Sequence, residues 1–268
     1  MSGKHIRLQK LFKHAGRLLT VPMDHGMTLG PVKGLESMSK LVQSVTKGGA
    51  DAVIVHKGLI KQISPYLSPE SCELIVHLSA STSLSPDSNR KELITSVEQA
   101  IRLGATAVSV HVNLASKHEA DMLKDVGMVA DQCDFWGIPL LAMMYVRDGS
   151  KESEYDPVKI KHAARVAEES GADIVKIYYT GSKDSFADIS STINIPIIIA
   201  GGPRLNSTYD LLLMINNAMA AGAKGVSIGR NIFQHDNPMR LVAAIRKVLD
   251  DNLSEEMLKV LADTCDTL

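Results

Sequence analysis

Eight short apolar runs, spread along the whole chain and separated by stretches of helical character, constrain this sequence more than any other feature. They lie at Leu18 to His25, Ala52 to His56, Cys72 to Ser79, Ala107 to Val112, Pro139 to Tyr145, Ile174 to Tyr179, Pro196 to Ala200 and Gly225 to Gly229. Each is close to continuous rather than alternating, the pattern of strands covered on both faces. Between the runs, apolar residues recur at helical spacing, as in Val97, Ala100 and Ile101 after Ser96, or Ala163, Ala164, Val166 and Ala167 ahead of Gly171. A Gly-Ala step leads into several runs, at Gly49-Ala50, Gly104-Ala105, Gly171-Ala172 and Gly222-Ala223. The glycine suits the left-handed end of a helix, and the alanine lets the chain turn tightly into a sheet. Spread over eight runs, 268 residues give a unit close to the roughly 30 residues of a βα repeat. The alternation predicts an α/β fold, a TIM (β/α)8 barrel forming one domain over residues 1–268. A short N-terminal helix precedes it, and one or two amphipathic helices follow from Pro238 to Leu261. An open doubly wound sheet shares the alternation, but no Gly-x-Gly-x-x-Gly follows the first run.

Charge and composition narrow the partners. With 29 basic against 30 acidic side chains and only 4% aromatics, the chain lacks both the positive footprint and the stacking platforms of a nucleic-acid binder. No apolar run approaches the roughly 20 residues that cross a bilayer, so no membrane partner is expected. Lys4, Arg7, Lys10, Lys13 and Arg17 are scattered among apolar residues, and a strand-like run begins at Leu18. The segment is therefore read as a helix of the fold rather than a targeting leader. Cys72, Cys133 and Cys265 are few, odd in number and far apart, which suits a reducing cytoplasm.

In such a barrel the chemistry sits at the C-terminal ends of the strands. Lys176 is the most informative residue there, because it stands inside Ile174-Val175-Lys176-Ile177-Tyr178 rather than after it. Burial disfavours an ammonium and yields the neutral amine that Schiff-base chemistry requires. A structural ion pair with Asp24, or a stem that snorkels to the barrel mouth, would also account for it. Gly201-Gly202-Pro203 and Gly229-Arg230-Asn231 follow the last two runs, where barrels commonly hold phosphate; each alone could be an ordinary glycine turn, but together, with the charge of Arg230, they favour phosphate. Arg204 is read as a solvated loop residue. His25, His56, His77 and His111 end or approach the ends of four runs, which would allow a metal centre. Against this, no His-x-His pair stands on the first run and no Cys or Glu lies at a ligand spacing, so scaffolding or substrate contact is the preferred role. Cys133, Trp136, Met143 and Met144 are read as packing residues.

Five segments can then be taken together: Val21-Pro22-Met23-Asp24-His25-Gly26, Ala142-Met143-Met144-Tyr145, Val175-Lys176-Ile177-Tyr178-Tyr179-Thr180-Gly181, Gly201-Gly202-Pro203 and Ile228-Gly229-Arg230-Asn231-Ile232-Phe233-Gln234. In this order, from about Leu18 to about Asp236, the chain resembles the DeoC/FbaB aldolases, class I enzymes of archaeal type. The resemblance implies a TIM barrel in which Lys176 forms the Schiff base while Asp24 and Tyr145 move protons. It implies that Gly201, Gly202, Gly229 and Arg230 hold the phosphate of a ketose, with His25 and His111 as further substrate contacts. It implies no metal and no organic cofactor, small phosphorylated ketose and aldehyde substrates, and homo-oligomers that are often decameric. The activities implied are transfer of a ketose fragment to an amino-acid semialdehyde on a route to aromatic amino acids, or plain aldol cleavage as in fructose-bisphosphate aldolases. The chain departs from the family at Val146, where a proline is usual, at Ala80-Ser81-Thr82, where Gly-Gly-Thr is usual, and at Tyr178, where smaller or basic residues stand.

Overall fold

Every apolar run forms a parallel strand, and the eight close on themselves. In the computed structural model, which describes residues 2–68 and 71–267, the strands are β1 (Leu18–Pro22), β2 (Ala52–Val55), β3 (Glu73–His77), β4 (Ala107–Leu114), β5 (Leu140–Val146), β6 (Ile174–Tyr178), β7 (Ile197–Ala200) and β8 (Gly225–Ser227). Each pairs with its sequence neighbours, and β1 pairs with β8 to complete the barrel. Of the span 1–268 read as one domain, Met1, Pro69, Glu70 and Leu268 lie outside the described residues.

The main helices are α1 (Ser2–Leu11), α2 (Met38–Lys47), α3 (Val97–Arg102), α4 (Glu119–Trp136), α5 (Pro157–Glu169), α6 (Lys183–Ser190), α7 (Thr208–Ala220), α8 (Pro238–Asp250) and α9 (Glu255–Asp266). Side-chain caps start several of them: Ser96, Asp156, Ser182 and Ser207 each accept from the amide three residues on. The glycines of the Gly-Ala steps adopt positive φ as the sequence required, 94° at Gly49, 89° at Gly104 and Gly171, and 100° at Gly222.

Strand side chains alternate between two cores. Outward residues such as Leu19, Val53, Val175 and Ile199 meet the helices, whereas Leu18, Ile54, Ile75, Leu141, Ile174 and Ile198 fill the barrel. Leu11 of α1, with Leu8 and Phe12, packs against this inner cluster, so the N-terminal helix stoppers the end of the barrel opposite the strand C-termini. Closure at β1–β8 brings Gly225 opposite Leu18, and a Cβ there would stand 2.1 Å from the Leu18 carbonyl oxygen.

The two methionines of β5 divide as the alternation demands, Met143 inside the barrel and Met144 against the helices. Cys133 is fully buried, but Trp136 is not a core residue: it is 44% exposed at the end of α4, its indole N–H donating to Glu98 Oε1 at 3.2 Å. The last helical turn carries it past the strip that faces β4 and β5.

Candidate active site

The inner face of β6 climbs from Ile174 through Lys176 to Tyr178, since residues two apart share a face. Ile174 belongs to the filled layer and Lys176 to the layer above it, beside its register partner Met143. Lys176 is 6% exposed, and its Nζ lies 4.0 Å from Met143 Sδ. Burial lowers its pKa to about 8; the Asp24 charge opposes this and Arg230 reinforces it. No carboxylate stands within 4 Å of that nitrogen among the described residues, so the ion pair with Asp24 is not formed.

Asp24 follows β1 at the start of the short helix His25–Leu29. Burial works against its charge, but the His25 ring at 3.3 Å, His77 at 3.7 Å and Lys176 hold it well below the usual carboxylate range. His77 is itself pushed down to about 4, chiefly by burial. Being neutral at pH 7, it leaves Lys176 and the His25 contact as the support of the carboxylate there. Tyr145, on β5 one layer above Met143, has its ring 4.9 Å from both His111 and Tyr178. Burial, with Tyr178 beside it, raises its pKa well above the ordinary phenol value, so at neutral pH it is a proton donor.

These three groups line one cavity of about 260 Å³ at the C-terminal mouth of the barrel, together with His25, His111 and Arg230. Arg230 donates to the Gly202 carbonyl at 2.9 Å, and its buried Nε has no partner among the described residues. Gly201, Gly202 and Gly229 are not among the residues that line this cavity. A Cβ at Gly229 would meet His25 Cε1 at 2.6 Å, and one at Gly201 would meet Ile228 Cγ2 at 2.9 Å, so both are glycine for packing reasons as well. Arg204 is exposed, as read.

The four strand-end histidines all line this cavity, and the His56 and His77 rings lie 5.2 Å apart, but their other neighbours differ. His25 packs edge-on against Phe233, His111 Nε2 lies 2.8 Å from Asn113 Oδ1, and His77 Nδ1 lies 2.8 Å from Ser109 Oγ. Among the described residues no three His, Cys, Asp or Glu side chains converge as a ligand set.

Sequence reasoning missed both Lys91 and Arg147 as site residues. Both line the cavity. Lys91 arrives from the connection between β3 and β4, where Ser79–Ala80 pairs antiparallel with Glu92–Leu93 and folds back over the mouth. Nothing in the spacing marks that connection as other than a loop. A larger cavity, of about 500 Å³, lies between Arg204 and Thr267 and contains none of the strand-end residues named above except Arg204 and Asn231.

The profile of the family described as DeoC/LacD family aldolase matches residues 18–235. The chain is 45% identical over 256 residues to 2-amino-3,7-dideoxy-D-threo-hept-6-ulosonate synthase 1 of Archaeoglobus fulgidus, covering 96% of this chain and 94% of that one. It is 42% identical over 237 residues to 2-amino-4,5-dihydroxy-6-oxo-7-(phosphonooxy)heptanoate synthase of Streptomyces griseus, covering 88% of this chain and 86% of that one. Among solved structures, a Schiff-base-forming fructose-1,6-bisphosphate aldolase superposes with a TM-score of 0.84 at 26% identity, covering 92% of this chain and 99% of that one.

Proposed function

Because the chain belongs to the DeoC/LacD aldolase family, we propose that it is a Schiff-base transaldolase acting on a phosphorylated ketose, with the reaction of a 2-amino-3,7-dideoxy-D-threo-hept-6-ulosonate synthase. The donor in this reading is 6-deoxy-5-ketofructose 1-phosphate and the acceptor L-aspartate semialdehyde. The observation that carries it is Lys176: an amine enclosed in the barrel with its pKa lowered to about 8. At pH 7 about one such amine in ten is neutral, some 300 times the fraction of a free lysine.

The neutral amine attacks the ketone of the donor to give a carbinolamine, and loss of water gives an iminium. The iminium accepts the electron pair of the C–C bond one carbon away as that bond breaks and releases the phosphorylated aldehyde half of the donor; the resulting enamine attacks the acceptor aldehyde, and water hydrolyses the new iminium to free the product and the Lys176 amine. Each step moves a proton, which one lysine cannot manage alone. Tyr145, protonated at neutral pH, supplies protons to the departing hydroxyl and to the new alkoxide, while Asp24, held as a carboxylate, accepts them. Arg230 with Gly201, Gly202 and Gly229 holds phosphate, an assignment supported by the unpaired Arg230 Nε. His25 and His111 contact the substrate from the same cavity.

A second donor, dihydroxyacetone phosphate, is favoured by the Streptomyces relative, which is named for a product that keeps a phosphonooxy group. The same reading takes residues 1–268 as one domain working in the cytoplasm as a homo-oligomer. The exposed Met128, Phe135 and Trp136 of α4 support the assembly. Sodium borohydride with the deoxyketofructose phosphate, and separately with dihydroxyacetone phosphate, is expected to leave a reduced adduct on Lys176 that mass spectrometry locates. A Lys176→Ala protein that kept full turnover would overturn the proposal.

A further inference from the structure

Two cations meet in the catalytic cavity without an anion between them. Lys91 and Arg147 both line it; Arg230 follows β8, while the hairpin that carries Lys91 lies over β3 and β4, across the barrel. The Lys91 ammonium donates to Ser81 Oγ, and no carboxylate stands within 4 Å of it among the described residues. Burial first and the Arg147 charge second push its pKa down, and Asp24 is the one opposing influence. His111, between these groups, is lowered well below 6.5 by burial, with Lys91, His77 and Arg147 adding to the effect. Positive charge is thus concentrated in a small, partly desolvated space, an arrangement that is costly when empty and favourable around an anion.

Arg147 is also held rigidly. Glu154 Oε2 pairs with it at 2.6 Å, its guanidinium donates to Tyr178 Oη at 3.3 Å, and it lies 5.1 Å from the centre of the Tyr145 ring. Glu154 neutralises it in part, so the uncompensated charge belongs mainly to Lys91.

We infer that Lys91 and Arg147 form a second anion subsite, which takes the carboxylate of the acceptor aldehyde. The inference rests on the function proposed above, in which the acceptor is an amino-acid semialdehyde. Such an acceptor has its aldehyde at one end, facing the enamine on Lys176, and its carboxylate at the other. An uncharged aldehyde would meet the same carbon nucleophile without this contact, so the subsite sets acceptor selectivity rather than the chemistry of the lysine.

The test compares the wild-type chain with Lys91→Met and Lys91→Arg, using dihydroxyacetone phosphate as donor so that the donor phosphate stays on the fragment bound to Lys176. With L-aspartate semialdehyde as acceptor, kcat/KM is expected to fall about 10- to 100-fold in Lys91→Met, the loss expected for one charge-assisted hydrogen bond, and to recover largely in Lys91→Arg. With uncharged glyceraldehyde the loss should be at least about fivefold smaller. Equal losses for the two acceptors, or no loss for either, would overturn the subsite. A wild-type preference for glyceraldehyde 3-phosphate over aspartate semialdehyde would overturn its assignment to a carboxylate. Borohydride trapping separates the two levels of the argument. An adduct in the wild-type chain and in Lys91→Met with unchanged selectivity removes the subsite alone, whereas no adduct in the wild-type chain with either donor phosphate removes the lysine chemistry itself.

Discussion

Lys176 shows how far one residue can be set against the stability of the fold that holds it. Its pKa of about 8 lies below the 10.5 of a free lysine, so between these values the unfolded chain binds more protons than the folded one. Stability therefore rises with pH across that window, and below about pH 8 the folded state carries the whole penalty, about 3 kcal/mol. Lys176→Met, which keeps the volume and removes the charge, is expected to raise the urea-unfolding free energy at pH 7 by up to about 3 kcal/mol. That gain should shrink above pH 8 and vanish beyond pH 10.5. An equal gain at pH 7 and pH 11 would show that packing, not charge, is responsible. Tyr145→Phe is expected to lower kcat about 10²- to 10⁴-fold, because it removes the proton donor while leaving the amine in place. Borohydride trapping in that variant should still locate an adduct on Lys176, formed more slowly.

At the scale of elements, short strands do most of the positioning. The sequence reading extended β1 through His25, but pairing ends at Pro22, and Asp24 begins a helical turn instead. β4 continues to Leu114, beyond the Val112 expected, so His111 and Asn113 lie within a strand. These shifts arise because ladder pairing continues only where a neighbouring strand is present, which local composition does not reveal. Gly225 governs the closing pair. With φ at 151° and Leu18 oxygen in the way of any Cβ, Gly225→Ala should separate β1 from β8 and cost about 3 kcal/mol or more, seen as a lowered thermal midpoint. A melting curve unchanged from wild type would mean that the closure is more pliant than its geometry suggests.

Across the whole molecule, a buried carboxylate ties the chain ends to the barrel. Asp51, fully buried before β2, pairs with His14 and with Arg246 of α8 at 2.9 Å, and accepts from the Leu19 amide at 2.7 Å. It joins the N-terminal segment, two strands and a C-terminal helix at the end opposite the cavity. Asp51→Asn is expected to lower the urea-unfolding free energy by about 1–3 kcal/mol, since Arg246 keeps Asp250 but loses a buried charge-assisted partner. Borohydride trapping on Lys176 should be unaffected while the protein stays folded. The fold was legible because βα periodicity and the glycine steps are local: continuous apolar runs, helical spacing and left-handed helix ends each follow from neighbours in sequence. Lys176 was legible for a related reason, a charge in the middle of an apolar run. What tertiary structure alone decided is which side chains share the mouth. The four histidines gathered at one mouth without forming a metal-ligand set among the described residues, Trp136 went to the surface, and Lys91 joined Arg147 in the same cavity, because the closing of the barrel and the fold-back of a hairpin fix distances between residues far apart in the chain.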